Sequence, residues 1–269
     1  DYYASRGLGD VYKRQIMDLT YQGMGVAKVD NYPIFIENAL PEEKITVKVT
    51  KATKNFAFGD VEKINQVSPH RVNPKGRVYR QTGIAPLQHL EYSEQLKFKQ
   101  HQVAELFAKV HMDDVEVLPT IGMANPTQYR NKAQVPVRQV QGQLTTGFYK
   151  KNSHQLMPIE DYYIQDPAID KAIVVVRDIL RKYHEAAYDE FHHSGTIRTI
   201  MVRRGYYSHE MMVVIVTRTK HLPMADVVTQ EIQAALPEVV SVIQNVNSKK
   251  TNAVSYTHLR AHETRSNLV

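Results

Sequence analysis

The chain has 269 residues, 42% hydrophobic and 23% charged, a balance ordinary for a globular protein with one large core or two small ones. No apolar run approaches the roughly 20 residues that span a bilayer, and the N-terminus lacks the order of a signal peptide, so a cytoplasmic protein is expected. Cysteine is absent, which removes disulfides, thiolate metal sites and thiol nucleophiles together. The formal net charge is +6, unevenly spread. Between Glu62 and Glu91 no acid occurs, while Lys63, Arg71, Lys75, Arg77 and Arg80 do; between Glu116 and Glu160 the same holds with Arg130, Lys132, Arg138, Lys150 and Lys151. One-signed stretches suit a polyanion, because neutralising phosphates releases counterions, and a solvated basic face gives the same pattern. The twelve histidines are scattered without ligand spacing, so no metal site is expected.

In chain order, residues 1–15 (DYYASRGLGDVYKRQ) carry no periodicity that joins their neighbours, and neither do residues 255–269 (SYTHLRAHETRSNLV). Both closely resemble the translated adapter sequence found at the ends of some assembled metagenomic genes, and both are set outside the fold as non-native tails. Residues 16–70 hold closely spaced strand signals at Ile16–Leu19, Gly25–Val29, Tyr32–Ile36, Ile45–Lys51 and Phe56–Ile64, separated by turn residues such as Asp30-Asn31. Ile45, Val47 and Val49 alternate with Thr46, Lys48 and Thr50, a half-buried strand. The pattern predicts a five-stranded barrel of the oligonucleotide-binding type. Gly23-x-Gly25 lacks a third glycine and a following helix, which rejects a nucleotide loop.

Residues 71–254 read as a second domain. After a Pro/Gly-rich loop, a helix is expected from Ser93 with Leu96, Val103, Leu106, Phe107 and Val110 on one face. A hairpin follows, Tyr129–Val140 and Leu144–Lys150, closed at Gln141-Gly142. Asp166-Pro167 starts a helix with a carboxylate cap and proline at its first position, burying Ile169, Ile173, Val176, Leu180 and Tyr183. Strands at Thr196–Arg203 and Met211–Thr217, a helix from Met224 to Leu236 and a strand at Val239–Val246 complete β-β-α-β-β-α-β, a two-layer α/β arrangement within an α+β fold class.

The strings GMGVAKVDNYPIFIENALPEE and FAFGDVEKI resemble a TRAM domain, a small RNA-binding barrel. LQHLEYSEQLKFKQ, YRNKAQVPV, GFYKKNSHQLMPIEDY, GTIRTIMVR and SVIQNVNSKKTN, in this order, resemble the central domain of bacterial 23S rRNA uracil-C5 methyltransferases. The resemblance implies an S-adenosylmethionine-dependent enzyme whose barrel and central domain grip ribosomal RNA while a Rossmann-like domain holds cofactor, cysteine nucleophile and base. That domain is not seen after Asn252, so the expectation is an inactive N-terminal fragment that binds RNA and not the cofactor, with a stand-alone RNA-binding protein as the alternative. The family's cluster-ligating cysteines fall here on Gly76, Thr82, Ala85 and Tyr162, so no iron–sulfur cluster is expected. A monomer with no membrane or DNA partner is expected.

RNA contacts use cations for phosphates, aromatics for stacking and hydroxyls or amides for sugars and base edges. The candidates are Lys48 and Lys51 in the barrel, then Tyr129, Arg130 and Lys132, then Phe148, Tyr149, Lys150, Ser153 and His154. For Phe148 core packing competes with stacking; for Arg130 and Lys132 a solvated strand face does. Arg198, Arg203 and Arg204 rank below them, because Ile200 and Val202 already explain their strand as core.

Overall fold

A computed structural model describes residues 9–73, 76 and 81–250, together with the backbone of 259–262. The chain divides into two compact units, Asp1–Ala124 and Asn125–Val269. The loop after residue 70 and the helix behind it therefore group with the barrel, not with the second domain as the sequence suggested. The cause is local. Leu90 packs with Leu19 and Leu40 of the barrel, with Leu87 and Phe98 against them.

In the first unit, β1 (Val11–Gln15), β2 (Asp18–Leu19), β3 (Gly25–Val29), β4 (Tyr32–Ile36), β5 (Lys44–Ala52) and β6 (Ala57–Gln66) form one sheet in the order β1-β5-β6-β4-β3-β2. The sheet curls closed because β1 and β2 are halves of one bent segment. Ile16 N–H donates to Glu43 O on the β5 side, and Met17 N–H donates to Val26 O in β3. The alternation of β5 is what its β-branched residues dictate: Ile45, Val47 and Val49 point inward and are buried, while Lys48 and Thr50 are exposed. Asp30 and Asn31 both take positive φ between Val29 and Tyr32, the two-residue turn whose twist matches a hairpin.

Two boundaries differ from the sequence reading. Residues 11–15, set aside as a tail, pair antiparallel with β5 from Val11↔Lys48 to Gln15↔Lys44, so the sheet has six strands and not five. An edge strand needs only a β-competent backbone. The helix α1 (Tyr92–Lys109) starts after Glu91 instead of Ser93, and its expected core stripe is not buried: Val103 is 43%, Leu106 62% and Val110 61% exposed.

The second unit contains β7 (Lys132–Val140), β8 (Gln143–Tyr149), β9 (Leu156–Pro158), α2 (Pro167–Lys182), β10 (Ile197–Arg204), β11 (Met211–Thr217), α3 (Ala225–Ala235), β12 (Val239–Val246) and β13 (Leu259–His262). They form a seven-stranded sheet ordered β13-β12-β11-β10-β7-β8-β9. Gln141 and Gly142 take positive φ and close β7 onto β8. Asp166 caps α2 by accepting from Ala168 N–H at 2.9 Å. Ile169, Ile173, Val176 and Leu180 are buried from it, each worth roughly 1.5–3 kcal/mol of transfer free energy. Leu259–His262, also set aside as tail, pairs antiparallel with β12.

β11 and β12 pair in parallel and are joined through α3. A parallel pair needs such a crossover, and it is the unit from which Rossmann-like sheets are built. The sequence reading held a Rossmann-like domain to be absent, yet β11, α3 and β12 form a β-α-β unit of that kind within a sheet of mixed pairing.

Candidate nucleic-acid interface

On the barrel, Lys48 and Lys51 are exposed on the outward side of β5. Across from Lys51 in register stands Phe58 of β6, and Phe58 in turn faces Phe35 of β4. Their neighbours Ile34, Ile36 and Ala57 point inward and are buried, so Phe35 and Phe58 must point out. Phe35, Phe56 and Phe58 meet with ring centroids 5.5–5.9 Å apart and stay only half-buried. They line a cleft of about 900 Å³ with Phe98 and Leu106 of α1 and the cations Lys99 and Lys109. The barrel thus sets cations beside exposed rings.

In the second unit the candidates separate into two groups. Tyr129, Arg130 and Lys132 are exposed and lead into β7. Arg130 N–H donates to Ile164 O at 2.8 Å and Asp166 N–H donates back to Arg130 O, fixing the segment beside the start of α2. Lys132 lies opposite Arg203 of β10, and Arg204 N–H donates to Asn131 O. Four cations therefore gather at one end of the sheet. Arg204 is the committed one, ion-paired to Asp166 at 2.6 Å.

The second group surrounds Glu190. His154 Nδ1 lies 2.7 Å from Glu190 Oε1, and Arg138 Nη2 lies 3.6 Å from Glu190 Oε2. Arg138 also stands over the rings of Tyr149 (5.3 Å) and Tyr188 (6.0 Å), and Arg198 stacks 4.4 Å from Tyr188. The Tyr149 hydroxyl is buried without a hydrogen-bond partner. Burial raises its pKa above the usual phenol value, with Arg138 opposing. An unpartnered buried hydroxyl beside two guanidinium groups suits an incoming acceptor such as a phosphate or carbonyl oxygen. Lys150 and Ser153 are exposed on the turn between β8 and β9, held by the Ser153 N–H to Lys150 O bond. Phe148 is different: it packs edge-on against buried Tyr162 at 5.3 Å.

The structure brings the candidates Tyr149 and His154 together with Arg138 of the basic stretch, the lower-ranked Arg198, and Tyr188 and Glu190, which the sequence reading did not name. A pair of arginines within reach of tyrosines leaves no spacing signal when the residues come from β7, β10 and the loop between α2 and β10. Of the four positions where the resemblance implied cysteines, Gly76, Thr82 and Ala85 lie in the first unit and Tyr162 in the second. These residues supply no thiolate, so they do not fit an iron–sulfur cluster. Among the described residues no helix is long and apolar enough to cross a membrane.

The arrangement of the barrel has a counterpart among known domains. Residues 8–61 match the TRAM domain. Along 246 residues, 91% of its length, the chain is 97% identical to a protein of Lactiplantibacillus plantarum named as an uncharacterized RNA methyltransferase, and 52% identical to one of Enterococcus faecalis with the same name. The chain covers 54% of each, and so spans about half the length of the curated relatives it matches. Its fold resembles that of the Pyrococcus abyssi tRNA (uracil-54, C5)-methyltransferase solved with S-adenosyl-L-homocysteine, with TM-score 0.66 at 21% identity, over 90% of this chain and 53% of that one.

These findings correct the functional expectation. RNA methyltransferases match 91% of the chain, which overturns the stand-alone RNA-binding protein. The reading of an inactive fragment with its Rossmann-like domain absent is likewise overturned by the methyltransferase fold, which runs through 90% of the chain. That reading leaned on where the sequence stops, and the end of a sequence carries no information about chemistry.

Proposed function

We propose that the protein is an S-adenosylmethionine-dependent RNA uracil-C5 methyltransferase acting on 23S ribosomal RNA, whose TRAM barrel and second unit bind and present the RNA. The observation that carries this is the likeness to RNA methyltransferases along 91% of the chain. Uracil as the base and C5 as the atom are supported by the resemblance in fold to the tRNA uracil-C5 enzyme, and ribosomal RNA by the central-domain strings. The cofactor supplies the methyl group.

Within this reading Lys48, Lys51, Arg130, Lys132 and Lys150 neutralise phosphates, Tyr129 offers a ring for stacking, and Ser153 and His154 hydrogen-bond sugar or base edges. Phe148 supports Tyr162 from within the fold, and Tyr149 presents its buried hydroxyl. Contacts to the RNA backbone and bases offset part of the cost of turning a target uridine out of its stack. The protein works as a cytoplasmic monomer, without a DNA partner.

Incubating the full-length protein with methyl-labelled S-adenosylmethionine and 23S rRNA, followed by nucleoside analysis, tests the assignment. The expected product is labelled 5-methyluridine. Label on another nucleoside, or none with RNA bound, would reject it.

A further inference from the structure

Between β10 and β11 the chain makes a tight connection, Gly205 to Glu210, at the sheet end that carries Lys132 and Arg203. Its backbone is cross-tied: Gly205 N–H donates to Glu210 O at 2.9 Å, His209 N–H donates to Gly205 O at 3.1 Å, and Glu210 N–H donates to the Ser208 hydroxyl at 3.3 Å. His209 takes φ +61 to close the turn. A Cβ at Gly205 would meet Ser208 Oγ at 2.4 Å, so the Ser208 side chain packs closely over the glycine.

This braced turn displays two tyrosines to solvent. Tyr206 is 73% and Tyr207 91% exposed, and their rings meet edge-to-face at 5.0 Å. A folded protein has little reason to hold two large rings in water on a cross-tied scaffold, since burying them would be favourable. Three cations outnumber the turn's own carboxylate, Glu210: Arg203 precedes the turn, opposite Lys132, and Arg130 and the half-exposed Tyr129 lead into the same strand end. Open ring faces beside unpaired cations suit a nucleobase with its phosphate, because every base has a π-face and its backbone a negative charge. An A-form duplex keeps its bases stacked inside and cannot use such rings.

We infer that Tyr206 and Tyr207 form a stacking site for an unpaired RNA base, with Arg203 and Lys132 taking the adjoining phosphates. This rests on the RNA-binding reading above and adds to it a preference for unpaired nucleotides. Being braced beforehand, the turn loses little conformational entropy when a base stacks.

The test is fluorescence anisotropy of the chain with two RNAs of equal charge, a hairpin with an open loop and a fully paired duplex. The proteins are wild type, Tyr206→Ala/Tyr207→Ala, Tyr206→Phe/Tyr207→Phe and Arg130→Ala/Lys132→Ala. The alanine pair is expected to weaken hairpin binding roughly 5- to 150-fold per stacked base while leaving duplex affinity and salt slope unchanged. The phenylalanine pair is expected to bind as wild type does, since stacking needs the ring and not the hydroxyl. Hairpin affinity unchanged in the alanine pair, with loss in Arg130→Ala/Lys132→Ala, would overturn the stacking site and leave RNA binding standing. Equal loss on hairpin and duplex would also overturn it. No binding of either RNA by the wild type would remove both.

Discussion

Arg71 grips Glu43 with two guanidinium nitrogens, Nε 2.5 Å from Oε1 and Nη2 2.9 Å from Oε2, across the rim of the barrel. Glu43 is fully buried, and its carboxylate also accepts from the N–H groups of Leu40 and Ser68. Arg71 uses Nη2 a second time on Asn38 O. One ion pair thus ties the start of the long loop to the β4–β5 connection. Burial alone would raise the carboxyl pKa; the Arg71 hydrogen bonds and the two backbone donors outweigh it and hold the group below its usual value.

Removing one partner strands the other. Arg71→Ala is expected to destabilise the chain by about 3–5 kcal/mol, the usual cost of an uncompensated buried charge, read from denaturant unfolding. A depressed carboxylate pKa contributes stability above its unfolded value, and that stability is lost as pH falls through the folded one. Acid unfolding of the wild type should therefore steepen below the ordinary glutamate range, and Glu43→Gln should flatten that limb. An Arg71→Ala variant as stable as wild type would show the pair to be ornamental.

Asp170 titrates the other way. It is buried at the start of α2, accepting from Tyr162 N–H at 3.0 Å and Gln165 Nε2 at 2.7 Å, yet burial pushes its pKa up to about 6. A raised carboxyl pKa means the folded state holds its proton longer than the unfolded chain does. Stability from this group is fully present below about pH 4 and falls as pH rises to about 6. A carboxyl NMR titration of Asp170 should show a midpoint near 6; a midpoint at the ordinary aspartate value would contradict the buried geometry. Because Gln165 bridges to Arg130, Asp170→Ala should also weaken RNA binding indirectly.

Gly195 sits where a side chain cannot. Its φ is +77, and an added Cβ would meet Ala187 O at 2.1 Å. The same stretch carries the Tyr188 N–H to Ile197 O bond and the Tyr188–His193 contact. Gly195→Ala is expected to cost more than about 1 kcal/mol, since the native conformation excludes alanine, and to disturb the Arg198–Tyr188 stack. Thermal melting checks the first effect, and the Tyr188 ring resonances check the second.

Strands were legible where alternation runs over several residues between turn signals; the three-residue β9, with only Leu156 buried, was too short to show it. Gly25–Val29 and Tyr32–Ile36 follow from alternation and turn residues alone. β1 was not, because VYKRQ is an edge segment whose polar residues leave no buried face to read. The stripe of α1 misled for the opposite reason: helical spacing of apolar residues shows amphipathicity and not what covers it. In the candidate site, Arg130 and Lys132 were named from a charge run and Lys48 from its place on the polar face of β5. Phe35 could have been found too, since it is out of phase with Ile34 and Ile36. The Arg138–Glu190–His154 contacts could not, because three separate elements meet there only after folding.

The most direct test of the account is the salt dependence of RNA affinity. The wild-type chain should bind a 23S rRNA hairpin with log K falling linearly against log salt, by roughly 0.7–0.9 per phosphate neutralised. Arg130→Ala/Lys132→Ala should bind more weakly at low salt with a slope shallower by roughly 1 to 2. Affinity indifferent to salt, or the same slope in wild type and double variant, would contradict the account.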